Sequence, residues 1–315
     1  MSTATMVTDL PVDAGLFFGG YAYGLEPLTL PNPRGPHDVP EHWDRQVPPT
    51  GDFERACRLI RHADTPAPPA SEPAHELYWF RWITGHQVSF IVWALIARTV
   101  RDLRAGRVAP PTALAALRHY VRGYAAMLLY TSSCPRQVYH DLIRPSMYLQ
   151  HRGFSGSWAP DYQPVRKLFK GKSFADPHSP EGVDLSRAVT LCQTVHNGVA
   201  DKLVQDGRSL LQSASTRRAR DTRLQGNRLF GILYDNYFMT MRASVSRLDI
   251  TAQLLRRLVA ITQDLAANGL YSSFAAGRER PAELRSAEVA DVEDNLPGID
   301  EDVARCAVRM ATDVD

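Results

Sequence analysis

The stretch of residues 76–104 constrains the fold of this chain more than any other feature. Its apolar side chains recur every three or four residues, which is the spacing of one face of an α-helix; they are Leu77, Phe80, Ile83, Val88, Ile91, Leu95 and Val100. Basic residues close the stretch and Gly106 follows it, as is typical of a helix C-terminus. The pattern predicts one long helix, whose most apolar part, residues 88–97, is too short to span a bilayer.

The remaining patterns are also helical. Apolar spacing predicts further helices over residues 52–62, 111–130, 163–169 and 184–212, and one or two more over 216–266. Residues 134–149 have a helical pattern that Pro145 interrupts, because proline cannot supply a helix N–H. No segment alternates with the period of a strand, so we expect an all-α fold with a single helical domain.

The distribution of proline divides the chain. Residues 1–50 are rich in Pro and Gly, which excludes a long helix and predicts an irregular N-terminal arm. Residues 51–275 form the expected helical catalytic domain, and residues 276–315 a C-terminal segment that ends in a short helix or a tail. Aromatic residues within 16–21 indicate either a flexible leader or an arm that packs on a neighbouring subunit, and we expect a homodimer.

Composition and motifs exclude several classes of protein. The formal net charge of the 315 residues is +2, which favours neither nucleic acid nor an acidic membrane, and the basic residues within 217–223 are interpreted as a solvated face. The four cysteines include no Cys-x-x-Cys pair, and P-loop, dinucleotide-binding and His-Glu-x-x-His motifs are absent. Residues 1–13 carry two Asp and no basic residue, unlike a signal peptide, so we expect a cytoplasmic protein without a membrane span.

Two histidines stand in apolar helical stretches, each with a glycine close by. His86 follows Gly85, and His196 precedes Gly198 by two positions. Such a histidine is either a satisfied core residue or a ligand, since a neutral imidazole on a helix is a common axial ligand of heme iron. Glycine costs roughly 1 kcal/mol of helix stability relative to Ala. We therefore expect both glycines to let a flat ligand approach the helix backbone.

Three segments of the chain resemble the tryptophan 2,3-dioxygenase superfamily. Residues 77–87 resemble its distal helix, an apolar run that ends in a His-Gln pair. Arg144-Pro145-Ser146, followed by Gly153-Phe154-Ser155 and by residues 165–169, resembles the segment that carries the carboxylate-binding arginine. His196 stands where that superfamily has its proximal heme ligand.

A closer resemblance is to the heme-dependent L-tyrosine 3-hydroxylases of bacterial antibiotic pathways, and the segments 144–147 and 153–158 carry it. The Gly-Thr-Gly-Gly-Ser-Ser-Gly loop of the dioxygenases is missing from this sequence, and basic residues occupy 213–225 instead. A relative that hydroxylates 3-methyltyrosine attaches its heme through His-x-x-x-Cys. Position 200 here is Ala, and no cysteine follows a histidine by four positions. The resemblance therefore implies non-covalent heme b.

The resemblance also implies a role for each candidate residue. His196 would bind the heme iron, and His86 would move a proton or hydrogen-bond the substrate phenol. Arg144 would pair with the amino-acid carboxylate through two parallel hydrogen bonds. Trp82, Phe90 and Ser155 would line the pocket on the substrate side. Trp158 would line it on the heme side.

The implied reaction is hydroxylation of L-tyrosine at ring position 3 to give L-DOPA, with hydrogen peroxide or with O2 and a reductant. Two alternatives are open at this point. The first is a heme dioxygenase or monooxygenase that acts on tryptophan or another aromatic amino acid. The second is a non-enzymatic helical interaction protein, in which His86 and His196 are core residues.

Overall fold

The computed structural model describes residues 25–33, 50–62, 75–172, 176–204, 210, 223–271 and 282–312. Helices account for nearly all of them, and the prediction of an all-α single domain is confirmed. The predicted aromatic arm at 16–21 and most of the basic cluster at 217–223 lie outside the described residues.

Ten helices carry labels here: α1 (Thr50–Arg61), α2 (His75–Arg104), α3 (Pro110–Thr131), α4 (Arg144–Gln150), α5 (Tyr162–Val165), α6 (Pro180–Leu203), α7 (Arg223–Tyr237), α8 (Arg247–Asn268), α9 (Ala287–Asp294) and α10 (Leu296–Thr312). Shorter helical turns lie between them: an α-turn at Arg136–Val138, a π-turn at Tyr139–Ile143 and 3-10 turns at Gly156–Trp158, Leu168–Lys170 and Ala282–Arg285. Two strands, β1 (Leu28–Leu30) and β2 (Thr240–Arg242), pair in parallel.

Helix α2 is the centre of the core. It begins one residue before the predicted start and ends at the predicted residue, so this prediction is confirmed. By length and composition α2 could cross a membrane, but 78% of its most apolar window is buried inside the protein. Its apolar residues therefore serve as core here, packed against α3 on one side and α8 on another.

The role predicted for Gly85 is corrected by the structure. A Cβ atom at Gly85 would lie 2.4 Å from Cγ2 of Thr131 and 3.1 Å from the Tyr130 ring. The glycine therefore allows close approach of helix α3, not of a ligand. Sequence periodicity could not distinguish the two, because it shows that a small residue is needed without showing what lies opposite.

We expect Gly85→Ala to lower the free energy of unfolding by about 1–2 kcal/mol. Overpacking against α3 costs about 1–3 kcal/mol, and the better helix propensity of Ala returns up to about 1 kcal/mol. Urea denaturation measures the difference, with Gly51→Ala as the control, because nothing lies within 4 Å of a Cβ at Gly51. A Gly85→Ala protein as stable as the parent would contradict this packing.

The interruption predicted at Pro145 is present but lies earlier in the chain. The π-turn Tyr139–Ile143 widens the helix immediately before α4, and Pro145 stands in the first turn of α4. A proline there is tolerated because the first-turn N–H groups have no partner within the helix. π-Turns of this kind occur frequently at functional sites.

Of two sequence predictions for the second half of the chain, the structure corrects one and resolves the other. The helix predicted to run over 184–212 ends at Leu203, where Val204 takes an extended conformation. The one or two helices predicted over 216–266 are two, α7 and α8, with β2 between them. The partner of β2, β1, lies in the N-terminal arm that was expected to be irregular. Gln253 of α8 binds both the N–H and the carbonyl of Thr29 and so holds β1 to the helical core.

The C-terminal segment ends in a helix that belongs to the core. Helix α10 packs against α1, α3 and α8, and Val303 fills the space left by Gly123 of α3. Of the two expectations for this segment, a short helix or a tail, the structure shows a helix. The predicted domain boundaries at residues 50 and 275 stay predictions.

A buried ion pair joins three helices at one end of the core. Nε of Arg81 lies 2.8 Å from Asp264, and both side chains are fully buried. The Tyr130 hydroxyl donates to the same carboxylate at 2.6 Å. Burial is the largest single influence and would lower the pKa of Arg81, but the Asp264 carboxylate together with Tyr130 and Tyr78 outweighs it, so this pKa is raised above its usual value. The pair fixes α2, α3 and α8 relative to one another.

Candidate active site

Aromatic rings surround the imidazole of His86 on α2. The Phe238 ring stacks on it with centroids 4.6 Å apart and an interplanar angle of 20°. The Trp82 ring, one turn earlier on α2, lies 4.2 Å away at a tilt of 51°. Phe90, one turn later, meets it edge-on at 6.3 Å. We call the rings of Trp82, Phe90, Phe154, Tyr234, Tyr237 and Phe238 the aromatic cluster.

The hydrogen bond of His86 defines its tautomer. Nδ1 lies 2.7 Å from the Trp82 carbonyl oxygen, and because a carbonyl only accepts, Nδ1 carries the proton. Burial lowers the pKa of His86 from 6.5 to about 4, and the bond to Trp82 only partly opposes this. His86 is therefore a neutral imidazole at physiological pH. Its Nε2 lone pair has no partner among the described residues and is available as an acceptor.

The other side of the aromatic cluster comes from α7 and from the loop after α4. Aromatic residues recur on α7 and just beyond it at helical spacing: Phe230, Tyr234, Tyr237 and Phe238. Phe154 of the loop contacts three of them, with centroids 5.4 Å from Tyr234, 4.9 Å from Tyr237 and 6.4 Å from Phe238. The sequence prediction missed this stripe, although its spacing in the predicted 216–266 helix was a signal that could have found it.

Arg144 lies on the same side of the core as His86. Arg144 hydrogen-bonds the hydroxyl of Tyr139. Burial raises the pKa of that hydroxyl, and Arg144 partly opposes the rise. The Tyr139 ring meets Trp82 edge-on at 6.0 Å, and Trp82 in turn contacts His86. The π-turn that holds Tyr139 thus connects the predicted carboxylate-binding arginine to the predicted distal histidine.

Tyrosine hydroxyls add polar groups to this side of the cluster. The Tyr237 hydroxyl lies 2.8 Å from Oγ of Ser146. Burial raises the pKa of Tyr237 to about 12, so its hydroxyl keeps its proton. The indole N–H of Trp82 is buried close to this hydroxyl, but the geometry is too poor for a hydrogen bond.

The predicted wall residues differ in how they meet the aromatic cluster. Phe90 is only 1% exposed and packs as a core residue beside His86. Trp158 stacks on Phe230 at 4.2 Å and contacts Phe154, which places it at the edge of the cluster. Ser155 points away from the rings toward Ser157, with its Oγ 2.9 Å from the Ser157 hydroxyl. No contact of Ser155 with His86 occurs in the described part of the chain.

His196 lies on the exposed side of α6, near the end of that helix. Within the described ranges it has no hydrogen bond, ion pair or ring contact, so its imidazole is available to a ligand. One turn earlier Cys192 is buried beside Tyr124, whose ring contacts Trp93. The described contacts do not bring His196 and His86 together. The role of His196 as iron ligand stays a prediction.

The donor atoms fit heme better than a side-chain metal cluster. No group of three or more His, Cys, Asp or Glu side chains that could hold a metal ion occurs among the described residues. All four cysteines are buried and unpaired. Burial raises the pKa of Cys192 well above its usual value, so its thiol stays protonated. The exposed imidazole of His196 is a donor of the kind that binds heme iron, and the apolar rings around His86 form a separate feature to which no described contact joins it.

Comparison with known families gives one finding. Residues 38–184 match the model of a family described as SfmD 3-methyl-L-tyrosine peroxygenase. The matched stretch is a little under half of the chain and contains Trp82, His86 and Arg144, whereas His196 lies beyond its end. No curated protein matches the chain.

The match supports an oxidative enzyme that is similar to heme-dependent peroxygenases. The description of that family gives a tyrosine-like amino acid as the substrate of its members. This agrees with the resemblance found in the sequence in both reaction class and substrate class. A peroxygenase takes its oxygen from peroxide, the first of the two oxidants expected above.

Proposed function

We propose that the protein hydroxylates L-tyrosine at ring position 3, giving L-DOPA, with hydrogen peroxide as oxidant, in a pathway that makes an antibiotic-type natural product. The observation that carries this proposal is the neutral His86, whose Nε2 is an acceptor inside an aromatic cluster that also reaches Arg144. The family match supports the reaction class.

His86 is suited to recognise a phenol. Its Nε2 accepts a hydrogen bond from the phenol O–H, which polarises the ring toward attack next to the oxygen. Because Nδ1 is held by the Trp82 carbonyl, the imidazole cannot rotate without losing that bond. The aromatic rings around it exclude water and provide faces against which a tyrosine ring packs.

Arg144 is suited to bind the amino-acid carboxylate. A guanidinium presents two parallel N–H groups to a carboxylate, and no lysine reproduces this geometry. The Tyr139 hydroxyl that Arg144 bonds in this structure would then orient the guanidinium. Trp82 lies between these polar ends, in contact with both His86 and Tyr139. Trp82 and Phe90 are proposed to line the pocket, with Ser155 at its rim.

The cofactor proposed is non-covalent heme b, whose iron His196 would bind and against which Trp158 would pack. When bound, heme activates peroxide and supplies the oxidising equivalents for hydroxylation. Non-covalent attachment is proposed because no cysteine stands four positions after a histidine. A homodimer located in the cytoplasm, with neither nucleic acid nor membrane as partner, completes the proposal.

The substrate is tested by a competition. The protein with added hemin is given peroxide and equal amounts of L-tyrosine, 3-methyl-L-tyrosine and L-tryptophan, and the products are identified by mass spectrometry. L-DOPA as the main product supports the proposal. Hydroxylated 3-methyl-L-tyrosine as the main product would support the substrate in the family description instead. Product from tryptophan alone would contradict both.

We expect Arg144→Lys to raise KM for tyrosine at least about tenfold, because it replaces a bidentate contact by a point charge and charged hydrogen bonds contribute about 1.5–3 kcal/mol. The value of kcat should change much less. Steady-state kinetics measures both. Arg136→Lys is the matched control, because Arg136 is an exposed arginine in the turn just before Tyr139. An unchanged KM in Arg144→Lys would remove Arg144 from the site.

A further inference from the structure

The side-chain amide of Gln87, the residue after His86, uses every one of its hydrogen-bonding groups. Nε2 donates to the Glu26 carbonyl at 3.0 Å and to the Phe238 carbonyl at 2.9 Å. Oε1 accepts from Nε of Arg257 at 2.8 Å. Gln87 is only 1% exposed. One buried amide therefore connects α2 with the segment before β1, the end of α7 and α8.

Arg257 anchors this amide from α8. It is 2% exposed, and its guanidinium also donates to the backbone carbonyls of Gln253, Glu26 and Pro27. Four acceptors surround one guanidinium, so its orientation is fixed. A buried polar group with all its partners in place has a single low-energy arrangement, and losing one partner leaves others unsatisfied.

The backbone at Phe238 is held in an unusual conformation. Met239, the next residue, has a φ of +53°, which is uncommon for a residue other than glycine. Such a conformation persists only where the surroundings enforce it. Hydrogen bonds do so here. The Phe238 carbonyl accepts from Gln87 at 2.9 Å and from the Thr240 hydroxyl at the longer distance of 3.4 Å. The Met239 N–H donates to the Asn236 carbonyl, and the Met239 carbonyl accepts from the N–H of Leu28.

We propose that Gln87 is a positioning residue that holds the Phe238 ring against the imidazole of His86. The amide acts on Phe238 through its carbonyl, and the stacked ring shields one face of the imidazole from water. The consequence for turnover rests on the proposed function. The effect on the imidazole itself does not, because it is a property of the folded chain.

The test uses Gln87→Met, which keeps the volume and removes all three hydrogen bonds. Gln253→Met is the matched control, because Gln253 is also buried and also binds backbone, at Thr29. Hydrogen exchange at Cε1 of each histidine, followed by mass spectrometry across pH, reports the pKa and water access of His86 in the full chain. No charged side chain contributes to that pKa; burial and the Trp82 carbonyl determine it.

In Gln87→Met the pKa of His86, read as the midpoint of the exchange profile, is expected to rise from about 4 toward 6.5, by at least about one unit. Exchange at His86 should also become faster. Gln253→Met should change neither the pKa nor the exchange rate of His86. Phe238→Leu, which removes the ring but keeps Gln87, should reproduce the Gln87→Met result. If Phe238→Leu moves the midpoint and Gln87→Met does not, Gln87 has no positioning role. Because this readout needs neither heme nor substrate, its outcome is independent of whether tyrosine hydroxylation is found.

Discussion

Arg81→Met is expected to lower the free energy of unfolding by about 3–5 kcal/mol, which is the usual cost of breaking a buried ion pair from one side. The substitution leaves the Asp264 carboxylate buried with only the Tyr130 hydroxyl and the Asn268 amide as donors. It also frees the carbonyls of Gly269 and Leu270, to which Arg81 donates. Urea denaturation at neutral pH measures the loss.

The comparison for this prediction is Arg305→Met. Arg305 pairs with Glu301 one turn away on α10, at the exposed surface. Exposed pairs of this kind contribute about 0.2–1 kcal/mol. If both variants lost the same small amount, the Arg81–Asp264 pair would not hold α2, α3 and α8 together as described.

His86→Leu is expected to lower kcat for tyrosine hydroxylation by roughly 10²–10⁴-fold, the usual contribution of a positioned acid or base. The heme content of the purified protein should not change, since His86 is not the proposed iron ligand. His119→Gln, on α3 beside Asp302, is the control and should keep full activity. Equal activity in His86→Leu and the parent protein would exclude His86 from the reaction.

The pKa of His86 also predicts how the protein responds to acid. In the folded protein this pKa is about 4, and in the unfolded chain it is near 6.5. Between these values the unfolded chain binds the proton and the folded protein does not. Stability is therefore unaffected by His86 above pH 6.5 and falls as the pH drops toward 4. His86→Leu should flatten the plot of unfolding free energy against pH between these values. In a plot of hydroxylation rate against pH, ionisation of His86 should not appear between pH 5 and 8.

Helices could be predicted from the sequence where many residues repeat one pattern. Helix α2 has seven apolar positions at helical spacing, so both its ends were predicted within one residue. Strand β1 has three residues, too few for a period of two to be visible. The break between α7 and β2 occurs at Met239, a residue that gives no turn signal, so the sequence did not show whether 216–266 holds one helix or two.

The candidate site was predictable only in part, because sequence spacing shows faces of helices and not what lies opposite them. His86, Trp82 and Arg144 were predicted as site residues, and the structure connects them through Tyr139. The partners contributed by distant segments were missed: Phe238 stacks on His86 from 152 positions along the chain. Gly85 was misinterpreted for the same reason, since its neighbour Thr131 belongs to another helix.

Binding of a heme through His196 is tested by the visible absorption spectrum of the protein. The full chain is purified with hemin and compared with His196→Ala, with His178→Ala as a control because His178 lies in the exposed loop before α6. We expect a Soret band in the parent and in His178→Ala, and its loss or a strong shift in His196→Ala. A Soret band unchanged in His196→Ala would contradict the assignment of the ligand. No Soret band in any of the three proteins would contradict the heme itself.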